Sequence, residues 1–503
     1  MPHIKIIDVP CGYGKSTRII NSFDKRKKYI AVVPYLSEAK RFAEDARKKS
    51  GFLLTEPASS KQSKSDHCEK LIRDGKSIVC THALFYRLGT MSTFQTDQIH
   101  SVEFQNGGNP KLEFKSLLHD YNVIIDEVIT PFEIDQTVRK VDFDADYLGL
   151  GLATELDDGR IVPTPLWDEK YTQGSKTFSR DLYEKAKSGG LYRVGENLFV
   201  LTVPTELLLK PKTVSIYTYL SKGSVLLQFL YKLRASNPNA FTLSVERLPE
   251  AEEAAWREDV ANALTVLSIP GLEKQPWNHS AQIKGIKKHS DCASIGHELR
   301  KFKNRNLHGV DLSTVMLTSA REIWHGAVSG KKPIAGRLSK HSRMFGHPVK
   351  QEYYDEISGT YLKRWSTTGV TFVPNTTRGT NDHVKCTTAI YLYDQNPNPQ
   401  MLTFLGFDRN SLHARCFSDA YALTEVVQWL FRSAIRVGGQ NNSGQPRMPR
   451  HKVTVYMPSE RMRNLLLNWL LTGNVNSGPV MPKGQKQIEM LARLEGHLTA
   501  AAA

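Results

Sequence analysis

Cysteine is scarce in this sequence: the six residues Cys11, Cys68, Cys80, Cys292, Cys386 and Cys416 lie far apart and form no C-x-x-C pair. That excludes a disulfide scaffold and a zinc-ribbon framework, and it points to a reducing, cytoplasmic setting. No stretch approaches the ~18 uninterrupted apolar residues that a membrane span needs. The densest, residues 465–471, is interrupted by Asn468. The first residues have no apolar leader core, so a signal peptide is not expected. Among 16 histidines there is no H-E-x-x-H or paired spacing, which leaves Mg²⁺ as the only metal to expect. Neither an internal repeat, a Ser/His/Asp constellation nor a nuclease-like acidic cluster is present. Acidic residues are also in deficit, 51 against 67 Lys and Arg, for a net charge of +16. Such a surface suits a polyanionic partner better than an acidic small molecule. No basic amphipathic helix accompanies it, so a membrane surface is not the expected polyanion.

What remains is an ordinary globular composition, 40% apolar and 23% charged, in a chain of 503 residues, long enough for two to four domains. Strand-like runs alternate with helix-length amphipathic segments, the pattern of a parallel α/β sheet. Strands are expected at 4–9, 29–34, 77–81, 123–126 and 213–219, with a hairpin over 191–203. Helices are expected at 15–23, 37–48 and 223–234. The turn cluster at 235–239 suggests a linker. Beyond it, strands at 313–318, 371–373, 389–393 and 452–457 and helices at 250–267, 419–436 and 459–471 form a second α/β unit. The expected domains are therefore 1–235, with insertions at about 90–115 and 140–190, then 240–472, then a flexible tail over 473–503. Two α/β lobes leave a cleft between them where a ligand can bind.

Three segments carry chemistry. The first, Val9-Pro10-Cys11-Gly12-Tyr13-Gly14-Lys15-Ser16-Thr17, leaves an apolar strand and opens a helix. Glycines let backbone N–H groups approach phosphate, Lys15 can reach terminal phosphates and Ser16 can ligate Mg²⁺. The second, Val123-Ile124-Ile125-Asp126-Glu127, is a buried strand ending in two acids, suited to holding Mg²⁺ through Asp126 and orienting water through Glu127. In the third, residues 428–436, Gln428, Arg432 and Arg436 are spaced four apart and would share one helix face amid apolar neighbours. Singly, these segments also fit a glycine-rich turn, a solvated strand end and a solvated helix face. Together they favour a nucleotide site.

The order of these motifs resembles a superfamily 2 helicase of the DEAD/DEAH-like kind, over about residues 1–470. Residues 9–16 match that family's A-x-x-G-x-G-K-T motif with Val9 in place of the plain phosphate loop's first glycine. Asp126-Glu127 resembles its D-E-x-[DH] box, with Val128 and Ile129 at the last positions. Gln428 and Arg432 match the start of Q-x-x-G-R, where Phe431 replaces the glycine and Arg436 falls one residue late. Weaker matches follow in order. Pro34-Tyr35-Leu36 and Thr81-His82 resemble nucleic-acid-contacting motifs, and Tyr217-Thr218-Tyr219 stands at the coupling motif. Thr318-Ser319 ends a strand as the fourth motif does, and Thr377-Arg378-Gly379-Thr380-Asn381-Asp382 resembles R-G-x-D/N. The adenine-reading glutamine motif of the DEAD-box branch does not precede the first strand, and the compact build resembles helicases of phages and mobile elements.

The resemblance implies two RecA-like lobes with ATP and Mg²⁺ in the cleft. Gly12, Tyr13, Gly14, Lys15, Ser16, Thr17, Asp126, Gly379 and Asn381 would bind the nucleotide, Ser16 and Asp126 the metal. Glu127, Arg432, Arg436 and Gln428 would act in hydrolysis. Pro34, Tyr35, Thr81, His82, Thr377 and Arg378 would meet the nucleic acid, DNA rather than RNA. The implied activity is an ATP-dependent helicase or translocase; a packaging motor, an RNA helicase and a nucleotide-gated binding switch are the alternatives. Four basic runs, 25–28, 284–289, 300–305 and 331–343, could line a phosphate-tracking surface or simply be solvated.

Overall fold

Short apolar runs, buried on both faces, make the strands of the first lobe, as parallel sheets covered by helices require. The computed structural model describes residues 1–58, 63–91, 97–104, 110–135, 140–172, 180–194, 198–287, 289–320, 324, 328–329, 332–333, 345, 348–355, 360–367, 369–377, 382–436 and 451–497. Strand β1 (His3–Asp8) is followed by α1 (Lys15–Asn21), β2 (Lys28–Val33), α2 (Leu36–Ser50), β3 (Ile78–Thr81), α3 (His82–Thr90), β4 (Tyr121–Asp126), β5 (Thr213–Thr218), α4 (Val225–Ser236) and β6 (Thr242–Arg247). The sheet order is β6-β1-β5-β4-β2-β3, and every pairing is parallel. All six carboxyl ends therefore lie along one edge, the edge at which open α/β sheets bind ligands.

The second lobe repeats the plan with α5 (Glu250–Asn262), β7 (Leu264–Leu267), β8 (Val315–Thr318), β9 (Thr371–Phe372), β10 (Thr388–Tyr391), α6 (Pro399–Phe404), α7 (Leu412–Leu430), β11 (Val453–Tyr456), α8 (Glu460–Thr472) and α9 (Gln485–Leu494). Its sheet, β7-β11-β10-β8-β9, is also parallel throughout. Between β4 and β5 an inserted segment has a core of its own around Phe143, Trp167 and Tyr183. No described helix is long and apolar enough to cross a membrane.

The expectation of two parallel α/β lobes is met; several boundaries differ. The turn cluster at 235–239 is not the passage between lobes, because β6 pairs with β1 and completes the first sheet. The helix expected over 250–267 stops at Asn262, and the apolar run after it becomes the edge strand β7. The segment after 472 is not a loose tail: Met490 and Leu494 of α9 are buried in the second lobe's core.

The lobes interpenetrate. Cys11, Tyr13 and Tyr219 of the first lobe are buried in the core of the second. In return Phe404 of α6 enters the first lobe's core, 4.7 Å from the Phe132 ring and 5.4 Å from Tyr192. The tightest approach is at Gly223, in the 3-10 turn Ser221–Gly223, where an added Cβ would stand 2.1 Å from the Ala420 carbonyl oxygen and 2.3 Å from Thr424 Oγ1. Gly223→Ala should therefore overpack the seam, at a cost of about 1–3 kcal/mol. A lower thermal midpoint and faster cleavage by a protease would show it. An unchanged midpoint would mean that α7 can retreat without loss.

Candidate functional site

The loop after β1 is pinned at its start, where the Val9 amide donates to the Thr218 carbonyl at 2.9 Å. Gly12 and Gly14 then take φ of 79° and 73°, a left-handed conformation that glycine adopts without a steric penalty. This turn delivers Lys15, Ser16 and Thr17 as the first residues of α1. Lys15 is only 8% exposed, and its Nζ has no hydrogen-bond partner. Burying an ammonium without a partner is costly, so the position suits an anionic guest. Ser16 Oγ donates to Asp126 Oδ2 at 2.9 Å, which joins the loop to the end of β4.

The two acids differ in setting. Burial, then the nearby Glu127 charge, pushes the Asp126 carboxyl above its ordinary value, against the pull of Lys15 and the Ser16 hydroxyl. Glu127 has φ of 68°, which is uncommon for a residue with a side chain and often marks a functional position. Its Oε1 lies 3.7 Å from Arg432 Nη2 of the second lobe. Arg432 is 2% exposed.

Gln428, Arg432 and Arg436 do not share a helix face. Helix α7 ends at Leu430, because the next amides turn to nearer acceptors: Arg432 N–H donates to Trp429 O at 3.0 Å and Ser433 N–H to Leu430 O at 2.9 Å. Ala434 N–H then donates to Cys386 O at 2.9 Å, tying the turn to the segment before β10. Gln428 stays in the last helical turn, Arg432 occupies the turn after it and Arg436 closes the 3-10 turn Ala434–Arg436. The apolar pattern runs on unbroken through this exit, so periodicity overextends the helix. Arg432 nevertheless reaches the acidic strand end at Glu127, and both arginines act electrostatically on the loop. Cys11, whose thiol is raised by burial, feels the charges of Lys15, Glu127, Arg432 and Arg436. The Arg436 guanidinium is lowered, by burial and then by Arg432.

Gln428 points elsewhere: its Nε2 donates to the Tyr219 carbonyl at 3.3 Å. Thr424 Oγ1, one helical turn earlier, donates to Leu220 O at 3.0 Å. Helix α7 thus grips the segment after β5 with polar groups while α7's own continuation carries the arginines. Sequence reasoning missed two further contacts. Tyr13 donates through its hydroxyl to Glu252 Oε2 at 3.1 Å, with the Arg18 guanidinium 4.7 Å from its ring centre. Asp8 Oδ2 accepts from Ser221 Oγ at 2.6 Å and from its amide at 3.0 Å. Both join residues more than 200 positions apart, and nothing local announces them.

Of the residues expected to face nucleic acid, Pro34 and Tyr35 follow β2, with the Tyr35 carbonyl accepting from Ala39 N–H at 2.9 Å. Thr81 Oγ1 accepts from Leu84 N–H at 3.3 Å as the cap of α3, and His82 Nε2 lies 3.3 Å from the Asp126 carbonyl oxygen. Pro34, Tyr35, Thr81 and His82 therefore sit at the ligand edge of the first sheet, His82 against the acidic strand end. Thr377 follows β9 and is partly buried, its amide donating to Pro374 O at 3.0 Å. Arg378, Gly379 and Asn381, and most of the basic run 331–343, lie outside the described residues.

Among the described residues no three His, Cys, Asp or Glu side chains cluster as a metal cage. A Mg²⁺ ion here would depend on Ser16 and Asp126 together with substrate phosphates, the usual arrangement for that ion. The Ser16 and Asp126 oxygens fit the ion, and the buried Lys15 Nζ fits the phosphates that would accompany it.

Residues 278–470 match the family described as the YonV C-terminal Rossmann-like domain. The chain is 23% identical over 490 residues to the SPbeta prophage-derived uncharacterized protein YonV of Bacillus subtilis (strain 168), covering 93% of this chain and 99% of that one. Among solved structures, S. tokodaii Xpd4 is similar at 12% identity and a TM-score of 0.42, covering 93% of this chain and 94% of that one. S. cerevisiae Dbp5 bound to RNA and ADP BeF3 is similar at 9% identity and a TM-score of 0.34, covering 99% and 89%. In this chain two parallel α/β lobes meet over a glycine-rich loop, an acidic strand end and a second-lobe arginine.

Proposed function

We propose that the chain hydrolyses ATP between its lobes and uses the cycle to move along, and unwind, nucleic acid. One observation carries this reading: the buried, unpartnered Lys15 Nζ lies in a neighbourhood that also holds the Ser16–Asp126 bond and the inter-lobe Arg432–Glu127 pair. Both lobes thereby contribute charge to one neighbourhood. In this reading Lys15 and the amides of residues 12–16 hold the phosphates, with Thr17 behind them in the first turn of α1. Ser16 and Asp126 would hold Mg²⁺, which would supply charge neutralisation at the phosphates. Glu127 orients the attacking water. Arg432, released from Glu127, meets the charge that develops on the transferred phosphoryl group, with Arg436 beside it. Gln428 acts at one remove, holding the end of β5 against α7.

The nucleic-acid partner is supported by the +16 charge and by the alignment of Pro34, Tyr35, Thr81 and His82 along the ligand edge. DNA is the preferred track. A second reading, a nucleotide-gated switch with little turnover, is favoured by the interpenetration of the lobes through Tyr13 and Phe404, which limits how far they can part.

The deciding experiment is a coupled ATPase assay titrated with single-stranded DNA, duplex DNA and RNA at two salt concentrations. Nucleic acid should raise the rate at low salt, and that stimulation should fade steeply, because a footprint of several phosphates loses on the order of 10³-fold in affinity between about 50 and 200 mM salt. A rate indifferent to every strand at low salt, with ATP still bound, would replace the motor by the switch.

A further inference from the structure

The basic run 25–28 takes no part in the site above. It lines a cavity of about 470 Å³ at the opposite edge of the first sheet, where β2 and β3 begin. From Lys28 to Val33 strand β2 spans roughly 16 Å, so a nucleotide on the phosphate loop does not reach this cavity.

Five cations line it, Lys25, Arg26, Lys27, Lys28 and Lys76, and none of the described lining residues is acidic. Asp24 engages Arg26 at 3.0 Å and Lys27 at 4.0 Å, and its carboxyl is held at about 2 by the Arg26 hydrogen bonds. Lys25, Lys28 and Lys76 have no ion pair with any described residue. Lys28 Nζ lies 5.8 Å from the Tyr121 ring centre, and two glycines leave room for the Lys25 and Lys28 ammoniums. A Cβ on Gly51 would meet Lys25 Nζ at 3.4 Å, and one on Gly75 would meet Lys28 Nζ at 3.2 Å, with φ of 61° and 69° respectively. Each ammonium thus packs beside a glycine that lines the cavity, Lys28 with the Tyr121 ring as a further neighbour. Convergent like charges repel unless an anion lies between them.

The lining also says which anion. Its one aromatic residue, Phe52, is 6% exposed and stacks on Phe23 at 4.7 Å, so it offers no ring face to a base. The exposed apolar residue at the rim, Leu53, cannot read one either. Recognition here is of phosphates alone, which suits an extended strand whose bases stay in solvent better than a free nucleotide.

The geometry points to a second nucleic-acid contact in this cavity, gripping the phosphodiester backbone at the edge of the first lobe remote from the ATP site. It rests on the nucleic-acid reading above. The test compares wild type with the charge reversal Lys25→Glu, Lys28→Glu, Lys76→Glu, and with the milder pair Lys25→Gln, Lys76→Gln should the reversal not fold. Binding of a labelled oligodeoxythymidylate strand is followed by anisotropy across a salt series, beside ATP turnover without nucleic acid and binding of inorganic tripolyphosphate. The reversal should bind the strand at least about tenfold more weakly at low salt, with a salt slope shallower by about 2, or about 1.4 for the pair, at roughly 0.7 per lost contact. Turnover without nucleic acid should stay unchanged. Wild-type strand affinity and slope in the folded variants would overturn this contact and leave the motor standing. A wild type that binds no strand at all would overturn both. Loss of tripolyphosphate binding with strand binding unaltered would make the cavity a small-polyphosphate site and overturn the assignment to a strand.

Discussion

Lys15→Ala should lose ATP turnover by about 10²–10³-fold or more while the nucleotide-free protein stays as stable as wild type. The two halves of this outcome have separate causes. Turnover falls because, in the proposed mechanism, the Lys15 ammonium supports charge that grows in the transition state. Stability holds because that same ammonium is buried, in a residue 8% exposed, and makes no hydrogen bond, so in the absence of nucleotide it contributes desolvation cost and no compensating hydrogen bond. The thermal midpoint without nucleotide should therefore be unchanged or higher. In wild type, Mg·ATP at about 100 times its Kd should stabilise the protein by ~2.7 kcal/mol, and the variant should show little of that gain. Thermal melts with and without Mg·ATP, alongside the turnover assay, separate the two effects. A folded variant that turns over within a few-fold of wild type would remove the nucleotide site.

What could be read from the sequence follows from how local each signal is. The loop 9–17 and the strand ending at Asp126 were legible because their chemistry and their geometry reside in the same few residues: an apolar strand, two glycines at positive φ and a helix start. The parallel lobes were legible because strands buried on both faces are apolar runs of strand length. Helix exits were less so. The apolar residues Leu430, Phe431, Ala434 and Ile435 continue a helical pattern past the point where Ser433 and the amide of Ala434 find other partners, so the spacing of Arg432 and Arg436 was misread as a helix face. The lobe boundary was misplaced because β6 joins the sheet through β1, about 240 residues earlier, and no turn signal reports a partner at that distance. Contacts between lobes, such as Tyr13 with Glu252 or Phe404 with Phe132, leave no local trace at all.

Arg432→Ala is expected to cost on the order of 10³-fold in turnover with a modest loss of ATP affinity, the scale of an arginine that meets phosphoryl charge. Arg432→Lys should not rescue it, since a point charge on a flexible stem does not reproduce the planar fork. The position is also structural: Arg432 is 2% exposed and faces the Glu127 carboxylate, so its removal takes a close positive charge from that carboxylate. A fall in stability is therefore expected beside the fall in rate, and the second substitution Glu127→Gln distinguishes them. Neutralising Glu127 in the Arg432→Ala background should return part of the lost thermal midpoint, because a carboxylate deprived of the Arg432 charge is gone, and should return none of the turnover, because the carboxylate proposed to orient water and the arginine are then both missing. Recovery of both together would make Arg432 a docking residue whose effect on rate was only indirect. Arg436 gives the contrast: it is less buried, ends a 3-10 turn and lies beside Arg432. Its alanine variant should show a smaller defect, and a fully active Arg436→Ala would confine the charge-neutralising role to Arg432.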